Sequence, residues 1–124
     1  MNETAKKILY WILLLPFCAL MGMSVWMYFS QAPQAVEGMK AIGFPMFFLT
    51  ILGTAKGLGI LALLFGQKSI LKEWAYAGFT FVLFGAASIH YFIGDPPAKI
   101  IFPLIFWAGL MVTYWIWKQD CLEA

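Results

Sequence analysis

Charge is scarce in this chain. Only 11% of its 124 residues are Asp, Glu, Lys or Arg, against 63% that are hydrophobic. A soluble domain of this length carries roughly twice that charged fraction. The apolar excess has no soluble core large enough to hold it. Histidine occurs once and cysteine twice. One histidine excludes a bis-histidine haem and leaves a zinc or di-metal site short of ligands. Cys18 lies mid-span and Cys121 in the tail, with no C-x-x-C, so thiol–disulfide catalysis lacks its machinery. Arginine is absent, and all eight basic residues are lysines dispersed along the chain. The net charge of +2 is too small and too scattered for a nucleic-acid surface. A phosphate loop and an activated nucleophile are also missing, so the sequence leans away from an enzyme.

Long apolar runs are what the chain does have. Four of them, residues 8–29, 44–65, 74–93 and 100–117, approach or exceed the roughly 20 helical residues that cross a bilayer. They are continuous rather than alternating, and too few to close a barrel. The expected fold is all-α: an integral membrane four-helix bundle forming a single transmembrane domain over residues 1–124. Lys6 and Lys7 precede the first run, as in a signal peptide. That run is too long for an h-region, and no A-x-A-like site closes it. "LPFC", Leu15 to Cys18, is a poor lipidation box because Phe17 is too large for the processing.

Lysine asymmetry predicts the direction of insertion. Lys6, Lys7, Lys68, Lys72 and Lys118 fall on one side of a four-span arrangement, and Lys40 and Lys99 on the other. The positive-inside rule then places both termini inside, N-in and C-in. Trp11, Trp74, Trp115 and Trp117 fit an inner aromatic belt and Trp26 an outer one, while Trp107 fits neither. In the longest loop, Ala35, Val36, Met39 and Ile42 have helical spacing, and Glu37 and Lys40 can pair at i,i+3. A short surface helix and a plain solvated loop are both compatible with that pattern. "GDPPAK", Gly94 to Lys99, reads as a tight turn.

Lys56 is the residue that the apolar runs do not explain. Facing lipid at mid-depth it would cost ~2.5–3.5 kcal/mol. On a helical wheel Thr50, Gly53 and Gly57 flank it on one side, and Ala55, Gly59 and Ala62 on the other. Small residues at that spacing let helices approach closely. Lys56 is therefore expected to face inward, with Gly53 and Gly57 against neighbouring helices. The alternative is a structural lysine that snorkels toward the inner interface. In the third run Glu73, Tyr76, Thr80, Ser88, His90 and Tyr91 fall within an arc of about 160°, read as an inward polar stripe. Lys56 and Glu73 are the leading candidate ion pair, through a hairpin of the second and third runs. Glu73 also reads as an interfacial residue at a helix start. His90 reads as a packed or interface histidine, with a ligand or proton-carrying role as the rival. Asp95 reads as a turn residue.

"GFPMFFLTILGTAKGLGILALL" and "LKEWAYAGFTFVLFGAASIHYFIGD" together resemble the DoxX-like family of small bacterial four-span membrane proteins. The resemblance covers about residues 43–95 and rests most on E-W-A-Y-A-G-F. The first and fourth runs match only in hydropathy. The motif positions are Gly53, Lys56, Gly59, Glu73, Trp74, Tyr76, Ser88, His90 and Asp95. The resemblance implies a membrane bundle of the bacterial inner membrane, with some relatives linked to quinone or thiosulfate oxidation and to oxidative-stress complexes. Two functions follow as expectations. One is a binding or accessory subunit for a quinone-like or amphipathic ligand, with Lys56, Glu73, Tyr76 and His90 as the candidate interior polar site. Its cofactor would be a quinone, and its partners the lipid bilayer and a membrane redox protein or a second copy. The other is a scaffold whose buried polar residues only fix helix packing. A proton or ion pathway is a third and weaker reading.

Overall fold

The computed structural model describes residues 2–123, with side chains described for residues 2–119. Cys121 and its expected separation from Cys18 lie outside the described side chains. Five helices follow in order: α1 (Glu3–Phe29), α2 (Pro33–Ile42), α3 (Phe47–Phe65), α4 (Ile70–Phe92) and α5 (Pro97–Glu123). No strand occurs among the described residues. The all-α expectation holds. Four helices, α1, α3, α4 and α5, are long and apolar enough to span a membrane. The shortest, α3, has 19 residues. At a 1.5 Å rise it is about 28 Å long, close to the hydrocarbon thickness of a bilayer.

Local chemistry sets the helix ends. Asn2 opens α1 by accepting the Ala5 N–H on its side-chain oxygen at 2.7 Å. Pro33 opens α2, where its missing N–H costs nothing. Gly43 closes α2 in the left-handed conformation, φ 78°. Phe44 N–H then returns to the Met39 carbonyl at 3.1 Å. That is the turn geometry glycine permits without a Cβ clash. Gly94 does the same after α4, with Asp95 N–H bonded to the His90 carbonyl at 3.0 Å. After α1 the corresponding left-handed position is taken by Gln31, φ 54°. Pro16 and Pro103 stand inside α1 and α5. Each deletes one backbone donor, which membrane helices tolerate when neighbouring groups re-satisfy the freed carbonyl.

The chain divides into two compact units. The first comprises Met1–Cys18 with Tyr76–Ala124. Its buried side chains include Tyr10, Leu14 and Phe17 of α1, Tyr76, Phe79 and Leu83 of α4, and Leu110, Thr113 and Trp117 of α5. Phe17 meets Phe79 edge to face at 5.1 Å, and the Tyr76 ring stacks on Trp117 at 5.7 Å. The second unit is Ala19–Ala75. In it, Ala35 and Met39 of α2 pack with Leu49 of α3, and Tyr28, Val36, Ile42 and Leu52 close around them. The apolar spacing in the long loop therefore makes a packed helix, not a solvated loop. Glu37 and Lys40 stand exposed on its far face, and their expected pair is not formed.

The polar stripe read on α4 is displaced from the buried face. Tyr76, Phe79, Leu83 and Ala87 are buried, whereas Ser88 and Tyr91 are exposed. At 100° per residue the arc of those four buried residues is centred about 55° from the stripe. Aromatic and aliphatic contact area decided which face turned inward, and the polar residues follow on its flank.

Candidate functional site

Lys56 lies midway along α3, nine residues from each end, and is 7% exposed. Its helix directs it. Side chains tilt toward the N-terminus of their own helix, here toward the end where α1 stops and α3 begins. There Lys56 Nζ donates to Ser24 Oγ and to Tyr28 Oη of α1, each at 3.0 Å. It also lies 4.5 Å from the centroid of the Tyr28 ring. Ser24 and Tyr28 are one helical turn apart on α1, so both hydroxyls reach the same ammonium. The ammonium and the two hydroxyls thus form a polar triangle with Lys56 at its apex.

This geometry corrects two expectations. Lys56 finds its partners on α1 and not at Glu73, so the Lys56–Glu73 pair is not formed. Nor does Lys56 snorkel toward the α3–α4 turn. Its ammonium points the opposite way. Hydrogen bonds from a charged donor stabilise by about 1.5–3 kcal/mol each, and a partly desolvated ring face by about 0.5–2 kcal/mol. Those terms are the right size to offset a mid-depth cost of ~2.5–3.5 kcal/mol.

Gly53 brings the two helices this close. A Cβ there would lie 3.2 Å and 3.3 Å from ring atoms of Phe29 and 3.5 Å from Tyr28 Cβ. Gly53 and Lys56 share a face of α3 at i,i+3, so the contact that needs glycine also delivers Tyr28 to the lysine. Gly57 does not share this role. A Cβ there meets nothing within 4 Å, contrary to its expected close packing. The wheel placed both glycines on one flank, but only at Gly53 would a Cβ meet atoms of α1.

In the other unit, Tyr76 is 2% exposed and its hydroxyl pairs with Thr113 Oγ1 at 3.1 Å. Thr113 donates in turn to the Leu110 carbonyl. Thr80 donates to the Tyr76 carbonyl and accepts from Trp107 Nε1 at 3.2 Å. Trp107, which fitted neither aromatic belt, is thus a mid-helix link between α5 and α4. Its ring packs at 4.9 Å on Phe84. His90 Nδ1 meets Asp95 Oδ2 at 2.5 Å across the Gly94 turn. Asp95 is therefore the side-chain partner of His90 as well as a turn residue. Fourteen residues of α4 separate Tyr76 from His90, about 21 Å of helix. Those two do not converge on one small ligand. Glu73 is half-buried in the first turn of α4. An apolar groove of about 470 Å³ lies along α4 and α5, lined by Phe84, Ser88, Tyr91, Ile100 and Leu104 among others. None of the four expected site residues lines it. No cluster of three or more His, Cys, Asp or Glu able to hold a metal occurs among the described residues.

The residues missed in the sequence are Ser24, Tyr28 and Thr113. Ser24 and Tyr28 did carry a signal. They are two hydroxyls at i,i+4 near the end of an apolar 27-residue helix, where either one alone reads as noise.

Four long apolar helices, one holding a buried mid-helix lysine, define a multi-pass membrane protein. The chain belongs to the DoxX-like family, whose family model matches residues 12–113. The match takes in Ser24 and Tyr28 on α1 and Thr113 on α5, beyond the stretch where motifs were legible. No curated protein and no solved structure matches the chain.

Proposed function

We propose that this chain is a binding or accessory subunit of a bacterial inner membrane, taking a quinone-like or other amphipathic ligand at Lys56 in a redox or stress pathway. One observation carries the reading. Lys56 is held at mid-helix by two hydroxyls and a ring, in a cluster richer in donors than packing requires. An ammonium has three N–H donors, of which Ser24 and Tyr28 use two. The third suits an oxygen on a membrane-soluble ligand. Intramembrane ionisable residues mark ligand or ion pathways more often than plain packing. Tyr76 and His90, first grouped with this site, act elsewhere: Tyr76 as a link between α4 and α5, His90 as a brace of the α4–α5 turn.

The test is co-purification. Protein extracted from membranes in mild detergent is assayed for bound quinones and lipids, for the wild type and for Lys56→Met. The expected result is a loss of ligand per folded protein in the variant. Equal ligand content in both would remove the proposal. A scaffold role is the second reading, favoured by the internally satisfied Tyr76–Thr113 and Thr80–Trp107 bonds. Equal ligand content would leave it standing.

The proposed arrangement is a single transmembrane domain with both termini inside, supported by lysine asymmetry. Single cysteines at positions 2 and 97, labelled from outside intact cells, test this. Position 97 should react and position 2 should not; the reverse pattern would invert the topology.

A further inference from the structure

Proton counting around Lys56 says more about its ligand. The ammonium spends two donors on Ser24 and Tyr28. One ammonium N–H remains, with the hydroxyls of Ser24 and Tyr28 beside it. The lysine's partners are both neutral hydroxyls, so its positive charge has no carboxylate counter-charge among the described residues. A buried charge solvated by hydroxyls but not neutralised is completed best by an opposite charge. Mid-depth in a membrane, that charge has to arrive on something soluble in lipid.

We infer that the Ser24–Tyr28–Lys56 cluster is a receptor for the anionic oxygen headgroup of a lipophilic molecule, a carboxylate or an enolate. This rests on the ligand reading above and narrows its oxygen to an anionic one. The remaining ammonium N–H and the adjoining hydroxyls can donate to such a headgroup, and charge-assisted bonds to it are about twice as strong as those to a neutral carbonyl. The Tyr28 ring lies under the ammonium, so the ligand reaches the cation from a side the ring does not cover. The close approach at Gly53 holds the phenol in place before the ligand arrives.

Two matched probe pairs test the inference on the full-length protein in lipid nanodiscs. One pair is palmitate and methyl palmitate at pH 8. The other is an alkylated 2-hydroxy-1,4-naphthoquinone, which is anionic at that pH, and its 2-methoxy analogue. Binding is read by tryptophan fluorescence. Each anion should bind at least tenfold tighter than its neutral partner, and Lys56→Met should erase that ratio. Tyr28→Phe and Ser24→Ala, which keep the lysine, should reduce the ratio severalfold and serve if the lysine variant does not fold. The wild-type ratio alone is decisive even without any variant. Preference for palmitate alone or for the hydroxyquinone alone identifies the source of the anion, and either result supports the inference. If the methoxyquinone binds as tightly as the hydroxyquinone, and Lys56→Met weakens both equally, the anion inference is overturned while the ligand reading survives. If no probe binds, both fall.

Discussion

Replacing Tyr28 with Phe removes one hydroxyl and leaves the ring under the Lys56 ammonium. In the wild type that hydroxyl solvates a buried charge from 3.0 Å. Its loss is expected to cost about 1.5–3 kcal/mol, the usual range for a hydrogen bond to a charged group. In a Lys56→Met background the same hydroxyl no longer solvates a charge. Its loss there is expected to cost about 0.5–1.5 kcal/mol, as for a neutral pair. The two substitutions should therefore couple by about 1–1.5 kcal/mol, within the range seen for contacting residues. Lys56→Met alone should be milder than a lost salt bridge, because it leaves two neutral hydroxyls and no uncompensated buried charge. The assay is SDS-driven unfolding from a mild detergent, followed by tryptophan fluorescence. The control is Lys56→Met with Glu73→Gln, which should be additive because Lys56 donates to α1 instead of to Glu73. Additivity of the Lys56 and Tyr28 changes within about 0.3 kcal/mol would refute the triangle. Strong coupling of Lys56 to Glu73 would restore the hairpin pair.

The two glycines of α3 should separate in the same assay. Gly53→Leu should destabilise by about 1–3 kcal/mol through overpacking against Phe29 and Tyr28, while Gly57→Leu should be tolerated. Gln31→Gly should stabilise by roughly 1 kcal/mol, because Gln31 holds a left-handed backbone that glycine adopts without a Cβ penalty; an unchanged midpoint would show that the turn relaxes elsewhere. Thr113→Val should cost about 1–3 kcal/mol by leaving the buried Tyr76 hydroxyl without that partner, and Tyr76→Phe with Thr113→Val should be less harmful than Thr113→Val alone.

The sequence by itself determined the class, the family and the number of long helices. Those follow from the length and continuity of apolar runs and from one local string around Glu73. Hydropathy is a property of residues, and no partner is needed to read it. It also placed Lys56 on an inward face, because a lysine at mid-depth has few other places to go. Even α2 was half legible: Ala35, Val36, Met39 and Ile42 had the right spacing, and only the Leu49 contact distinguished a packed helix from a loop. Tertiary structure alone decided what Lys56 touches. A wheel ranks the faces of one helix but does not say which neighbour crosses which turn. Thus Gly53 and Gly57 looked equivalent until α1 lay over one of them. Glu73 attracted the lysine on paper because opposite charges are the most visible pairing in a sequence. The side-chain tilt of α3 sends the ammonium the other way, toward two hydroxyls 28 and 32 residues distant in the chain. Hydroxyl partners at that separation leave no periodic trace, and only the packing of α1 on α3 brings them together.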